Sequence, residues 1–570
     1  MHLKNSIQLN ASNSLPMRLP SKVMRLNRLG SFHQTRLSFN RQLINEMYKK
    51  KWTFNISEWN FNEEGVGNAV IKAITDINVF SLIVFCHSIK DEERSDRVIA
   101  EKWDMTFSLF DGEPTEDEIS YMSKNLKIQE LGRHLNKQLT LSRANKSVRI
   151  FATVLECLSN GKQPDHNLIN DIGYLIRTTA VYGNGKFGIG DYSEIQNKSF
   201  LKKPFQAEML TVYLIRYFSI EIINYLAKIK GGSKAVKLNN TISRHIGVGN
   251  ATGLGMAPFI INHQELLHKW INAREKAIAK VISLKKLKPS EQLKIITLIK
   301  QAHEYSFQWK VEDKIQMKRI NEIRLNLKSI IKNKDTNLIL KDTYPLKKLI
   351  KYNEKKISIE TQELLNSILI EPFSKIVDDL VDDMNCEETI TLPINTSIHN
   401  IIKIIKLKYS WALRLDLTKD SENFFFWYTS ETKSEPRLGN RFADEGVEKE
   451  LPFDIPHQIQ KCLKILTTLP KKMSVSEAII NHPEIRLIIR RILIKENYSY
   501  SEIQDNLIGS LTKPKDMLRC KLSFFGASKY DPKSNLWTRI TLFQGAPLPH
   551  QINKKRSCDW LFPILKLDEK

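Results

Sequence analysis

Residues 51–59, 69–74 and 79–85 place β-branched and aromatic side chains at short, near-alternating intervals, with turn-formers at Glu64-Gly65 and Asp76 between them. A period of two suits strands, so this stretch predicts a small antiparallel sheet. Thr115 followed by Glu116, Asp117 and Glu118 has the makeup of a helix start, a hydroxyl cap with acids in the first turn. Apolar residues then recur at helical intervals over 139–158, 164–179 and 205–229. The last of these, with Phe205, Met209, Val212, Leu214, Phe218, Ile222 and Leu226, is apolar enough for a central helix and ends at Gly231-Gly232.

Helical spacing continues over 262–333 and 358–384, punctuated by Pro345 and Pro372. Beyond it, 410–417 and 424–428 read as strands, 455–466, 475–496 and 500–509 as helices, and 537–543 as a last strand. No unit of 20 to 50 residues recurs, which excludes a solenoid or propeller. The predicted class is α+β, predominantly helical, with a small N-terminal antiparallel sheet and a mixed C-terminal α+β region. The corresponding divisions are a basic N-terminal arm (1–45), a small antiparallel β region (46–115), a helical region with two Gly-rich loops (116–262), a basic helical region (263–400) and a C-terminal α+β region (401–570).

Composition narrows the class. Hydrophobic residues make up 41% and charged residues 26% of the 570, with 22 Gly and 20 Pro, which excludes collagen-like, disulfide-scaffold and wholly disordered chains. Cys86, Cys157, Cys386, Cys462, Cys520 and Cys558 form no C-x-x-C pair, so a reducing cytoplasm is expected. The apolar run at 77–86 is half of the roughly 20 residues a membrane-spanning helix needs, and no membrane is expected. No acidic residue precedes Glu46, whereas Arg18, Lys22, Arg25, Arg28, Arg36 and Arg41 do, a pattern shared by organellar import sequences, nucleic-acid arms and basic segments that dock on their own protein.

The 87 Lys and Arg exceed the 63 Asp and Glu by 24. Lysine is dense from Lys285 to Lys356, with Glu304, Glu312, Asp313, Glu322 and Asp335 interleaved, so this region reads as a solvated helical face or as a polyanion surface. Around Arg28, Phe32, His33, Arg36 and Phe39, basic and aromatic residues alternate in a way that suits a single nucleic-acid strand.

The densest local chemistry is Gly183-Asn-Gly185-Lys186-Phe-Gly188-Ile-Gly190. Closely spaced glycines let backbone amides converge on a phosphate or carboxylate, and Lys186 adds charge; tight connection between helices is the competing use. The spacing is formally G-x-G-x-x-G, but a dinucleotide loop needs a preceding strand and a following helix. Neither a Walker loop nor kinase H-R-D and D-F-G strings occur. A second stretch, Gly247-Val-Gly-Asn250-Ala-Thr252-Gly-Leu-Gly255, reads as a loop leading into a helix near Asn262. If the two loops face each other, Gly183, Gly185, Lys186, Gly188, Asn250 and Thr252 form the substrate-binding set.

An apolar strand at 424–428 runs into Glu431, Glu435, Arg437 and Arg441, the candidate acids and anion clamps for catalysis. His263 and His268 are five residues apart, about 140° around a helix, so no metal is assigned. No cofactor, oligomeric state or reaction class is assigned. The expected function is binding of a small anionic substrate, as an enzyme or otherwise; RNA binding and a scaffold role are the alternatives.

Overall fold

In a computed structural model, the residues described are 16–90, 92, 103–125, 135, 137–182, 205–253, 264–384, 395–418, 425–429, 436–440, 451–452, 455–504, 514–532, 537–552 and 560–565. Their central feature is a nine-stranded sheet in the order β1-β2-β3-β4-β5-β6-β7-β12-β11. The strands are β1 (Thr53–Phe61), β2 (Gly67–Ile74), β3 (Val79–Cys86), β4 (Met105–Asp111), β5 (Gln138–Lys146), β6 (Tyr174–Tyr182), β7 (Gly247–Gly253), β11 (Lys529–Pro532) and β12 (Trp537–Leu542). A separate three-stranded sheet joins β8 (Phe425–Thr429), β9 (Pro436–Asn440) and β10 (Leu451–Pro452) in the order β10-β8-β9.

This corrects the expected architecture. The sheet is neither small nor confined to the N-terminal part: it curls into a half-barrel, and its last two strands come from the far end of the chain. Three strands escaped the periodicity for identifiable reasons. From Gln138 to Ala144 every residue of β5 is buried, so the inside-outside alternation that marks a half-exposed strand is lost, and the same holds for Tyr174–Thr178 of β6. Strand β7 is so rich in glycine that it reads as a loop. Its glycines instead admit close neighbours: a Cβ on Gly249 would meet the Tyr174 ring at 2.6 Å, and one on Gly247 the Leu542 carbonyl oxygen at 2.4 Å. Conversely, Ser410–Leu413 forms a helical turn where a strand was expected, and 500–504 are not helical. The 475–496 segment breaks at Pro483 into helices Val475–Asn481 and Arg486–Asn497.

Consecutive strands from β1 to β6 pair antiparallel; β6 and β7 alone are parallel among the described ladders. The connection between those two contains the helix Gln206–Gly231, buried along most of its 26 residues against the sheet. Thr211 of this helix meets Thr140 of β5, oxygen to oxygen, at 2.6 Å. Its one buried cation, Arg216, is satisfied by backbone carbonyls: it donates to Ile246, Arg244, Ala546 and Pro547 at 2.6 to 3.2 Å, tying the helix to the approach to β7 and to the C-terminal segment. The helix ends at Gly231, where any Cβ would lie 2.1 Å from the Ser159 carbonyl oxygen, and at Gly232, whose φ is +55°. On the opposite face of the sheet, Met122 of helix Glu116–Lys124 covers Ile83, Phe85 and Phe110; that helix starts with the capping box Thr115/Glu118.

Four arginines of the basic N-terminal segment are built into the interior. Arg18 pairs with Glu275 and Glu363, Arg28 with Glu363 at 2.5 Å, Arg36 with Asp378 at 2.9 Å, and Arg41 with Glu371 at 2.7 Å. Arg274 adds a third guanidinium to Glu363 at 2.7 Å. Burial alone would push the Glu363 carboxyl up, but Arg18, Arg274 and Arg28 together outweigh it and hold it far below the usual carboxylate range. The alternating segment around Phe32, His33 and Phe39 is buried as well, which removes it as a nucleic-acid surface.

Removing one partner of a buried ion cluster leaves uncompensated charge and costs roughly 3 to 5 kcal/mol, whereas an exposed pair contributes about 0 to 1. Glu363→Ala is therefore expected to destabilise by at least about 3 kcal/mol in chemical denaturation. Lys22→Ala, which loses only the exposed 3.6 Å pair with Glu354, is expected to change stability by less than about 1 kcal/mol.

Candidate functional site

Because β6 and β7 are parallel neighbours, the chain leaves both at the same edge of the sheet, after Tyr182 and after Gly253. The central helix begins at that edge, where Phe205 (φ +59°) turns the backbone into Gln206. Carboxyl ends of parallel strands beside a helix N-terminus are a recurrent place for ligands, since the strands diverge there and unpaired helix amides face the opening.

A cavity lies against these elements. Val181, Phe205, Met209, Val212, Leu518, Leu522, Phe525, Ile540 and Leu542 give it apolar walls; Glu208, Asn250 and Lys521 are its polar members. The cavity volume is about 40 Å³, room for a few waters or a small organic group. Lys521 comes from the helix Pro514–Phe525, which packs beside the sheet.

Glu208 sits in the first turn of the central helix, and its Oε1 receives no hydrogen bond. A helix N-terminus favours a carboxylate by at most about 2 kcal/mol. Burial outweighs this and the bond from its own amide, and pushes the carboxyl up to about 8, so Glu208 is protonated at neutral pH. Burial likewise drives the Lys521 ammonium well below its ordinary range, and its Nζ lies 5.0 Å from the centre of the Phe525 ring. Asn250 is 6% exposed, and its Nδ2 donates to Thr178 Oγ1 of β6 at 2.9 Å, which fixes the amide across the parallel pair. The cavity thus holds a protonated acid beside an amine whose charged form burial disfavours, in surroundings that strengthen any charge pair formed there.

Of the residues singled out from sequence, Asn250 reaches this cavity. Thr252 lies on β7, paired with Thr538 of β12, so both stand on a strand where a loop was expected. Gly183, Gly185, Lys186 and Gly188 lie outside the described residues, as do Glu431, Glu435 and Arg441. Arg437 is on β9 opposite Tyr428, in the three-stranded sheet and not in the one that carries Asn250. The first Gly-rich stretch follows a strand, β6, where helical spacing was expected. Among the described residues, no three His, Cys, Asp or Glu side chains come together as a metal site.

Glu208 and Lys521 were missed. Glu208 had a readable signal: it is the one charged residue in a largely apolar helical run from Phe205 to Ile215, where a carboxyl is costly unless used. Lys521 had none, because its helix carries Lys515, Asp516, Arg519 and Lys521 and reads as a solvated face.

Folded Glu208 keeps its proton to about pH 8, whereas the unfolded carboxyl releases its near 4.5. The stability this contributes is complete below pH 4.5 and is lost as the pH rises to about 8. Lys521, the other titratable group facing this cavity, acts in the opposite sense as the pH rises toward 10.5, and does so in parent and variant alike. Against the parent, Glu208→Gln is expected to lose the decline between pH 4.5 and 8 and to be more stable at pH 9 by a few kcal/mol, at most about 5. Melting temperatures of both proteins from pH 4.5 to 9 check this; parallel curves would contradict it.

No family model, curated protein or solved structure gives a significant match to this chain.

Proposed function

We propose that the protein binds a small, largely apolar carboxylic acid in the cavity between the central helix, β7, β12 and the helix Pro514–Phe525. The observation that carries this reading is a protonated, incompletely hydrogen-bonded Glu208 sharing an apolar cavity with Lys521. A ligand entering as R–COOH passes its proton to the Lys521 amine, forming an ammonium–carboxylate pair, and Glu208 donates its own proton in a hydrogen bond to the second carboxylate oxygen. The apolar walls take the hydrocarbon part. A phosphate dianion fits this lining less well, because one amine offsets only one of its charges in a site that desolvates both.

Each methylene buried adds about 0.8 kcal/mol, close to fourfold in affinity. Across acetate, propionate, butyrate and hexanoate, binding by calorimetry is expected to tighten by about that factor per carbon until the cavity is filled. It is expected to weaken above pH 8, where Glu208 ionises against the ligand. Lys521→Met is expected to weaken butyrate by at least tenfold. Equal affinity in parent and Lys521→Met, or a preference for inorganic phosphate, would overturn the reading.

A second reading concerns the lysine-rich helices. With Arg18, Arg28, Arg36 and Arg41 of the N-terminal segment paired to acids in the interior, the denser candidate for a polyanion surface is 285–356, where Lys286, Lys314, Lys328, Lys334, Lys347 and Lys355 are exposed. A surface of this kind that neutralises six RNA phosphates gives a slope of about −4 in log affinity against log salt. A slope shallower than −1 would reduce the charge to composition.

A further inference from the structure

A second cavity lies against an adjacent face of the helix Pro514–Phe525 and shares only Leu522 with the first. Its walls include the rings of Phe32, Tyr305, Trp309 and Phe562, with the His33 imidazole stacked on Trp309 at 5.5 Å and 23°. The polar lining is one-sided. Gln34 donates its Nε2 to the Leu561 carbonyl, and Gln316 donates its Nε2 to Asp516 at 2.9 Å. Those bonds fix both amide orientations and leave Gln34 Oε1 and Gln316 Oε1 without a hydrogen-bond partner; Glu360 Oε2 receives none either. The three side chains are at least nine-tenths buried.

The three hydroxyl donors around the cavity are engaged elsewhere. Tyr305 donates to the Ser528 carbonyl, Ser523 to the Arg519 carbonyl at 3.0 Å, and Ser528 to the Thr541 carbonyl at 3.2 Å. Charge is already matched: the Arg519 guanidinium lies against Glu360, and Arg319 pairs with Asp516 at 2.7 Å. What fits is a neutral group, flat enough for the aromatic walls, that brings several hydrogen-bond donors and needs few. An organic cation would meet Arg519, and an anion would meet three bare oxygens. The cavity volume is about 50 Å³, which suits roughly four heavy atoms.

We infer that this cavity is a binding site for a small neutral amide or urea group whose N–H donors satisfy Gln34 Oε1, Gln316 Oε1 and Glu360 Oε2.

The test uses the full chain and three probes of nearly equal size and shape, urea, acetamide and acetone, with guanidinium as the cationic control. Ligand-observed NMR at non-denaturing concentrations reads the affinity. Urea and acetamide are expected to bind at least tenfold more tightly than acetone, because a buried acceptor left unpaired forfeits a comparable factor, and guanidinium is expected to bind no better than acetone. Gln316→Met is expected to weaken urea by about tenfold without changing acetone. A crystal soaked in urea is expected to show its nitrogens within hydrogen-bond distance of the three oxygens. Equal binding of acetamide and acetone, no binding of either amide, or a cavity holding only ordered water in that crystal would overturn the inference.

Discussion

The arrangement rests on burying a polar helix. Pro514–Phe525 carries Asp516, Arg519, Lys521 and Ser523, all less than one-tenth exposed, and each exposed its charge or dipole to water in the unfolded chain. Fully desolvating a charge costs several kcal/mol unless a partner is supplied, so everything that touches this helix must supply one or yield a proton. Asp516 is met by Arg319 and Gln316, Arg519 by Glu360 and His33, and the backbone at Ser523 by the Ser38 hydroxyl at 2.6 Å. Those partners come from the N-terminal segment and two further helices, and for that reason the segment folds inward. At Lys521 burial disfavours the charged form of the amine, and a cavity lies beside it.

The same constraint explains the destination of the N-terminal arginines. Seven cations before the first acid look like an arm made for a polyanion, yet four of them end against Glu275, Glu363, Glu371 and Asp378. These acids lie more than 200 residues further along the chain, so no local pattern announces the pairing. The burial of this segment also sets the second cavity, because Phe32, His33 and Gln34 are three of its walls.

What the sequence made legible follows the range of the physics involved. The strands at β1–β3, the Thr115 capping box and the central helix are local features, settled by spacing and composition within ten to twenty residues, and they appear where expected. Sheet membership is not local. Strands β11 and β12 join β7 from almost 300 residues away, and β5 to β7 are masked by two-sided burial or by glycine. The expectation of a small N-terminal sheet failed for that reason. The site divides in the same way: Asn250 was picked out for its place in a Gly-rich stretch and does line a cavity, but on a strand, while Lys521 becomes visible only once helix and sheet are packed together.

Central to the account is that burial holds Glu208 in its protonated form at neutral pH, ready to donate to a ligand. The most direct measurement is a carbon-13 NMR titration of the Glu208 side-chain carboxyl in the folded protein, assigned by comparison with Glu208→Gln. A midpoint near pH 8 is the predicted result. A midpoint near the ordinary value of 4.5 would contradict the account, because an ionised carboxylate at that position would repel the acid it is proposed to receive.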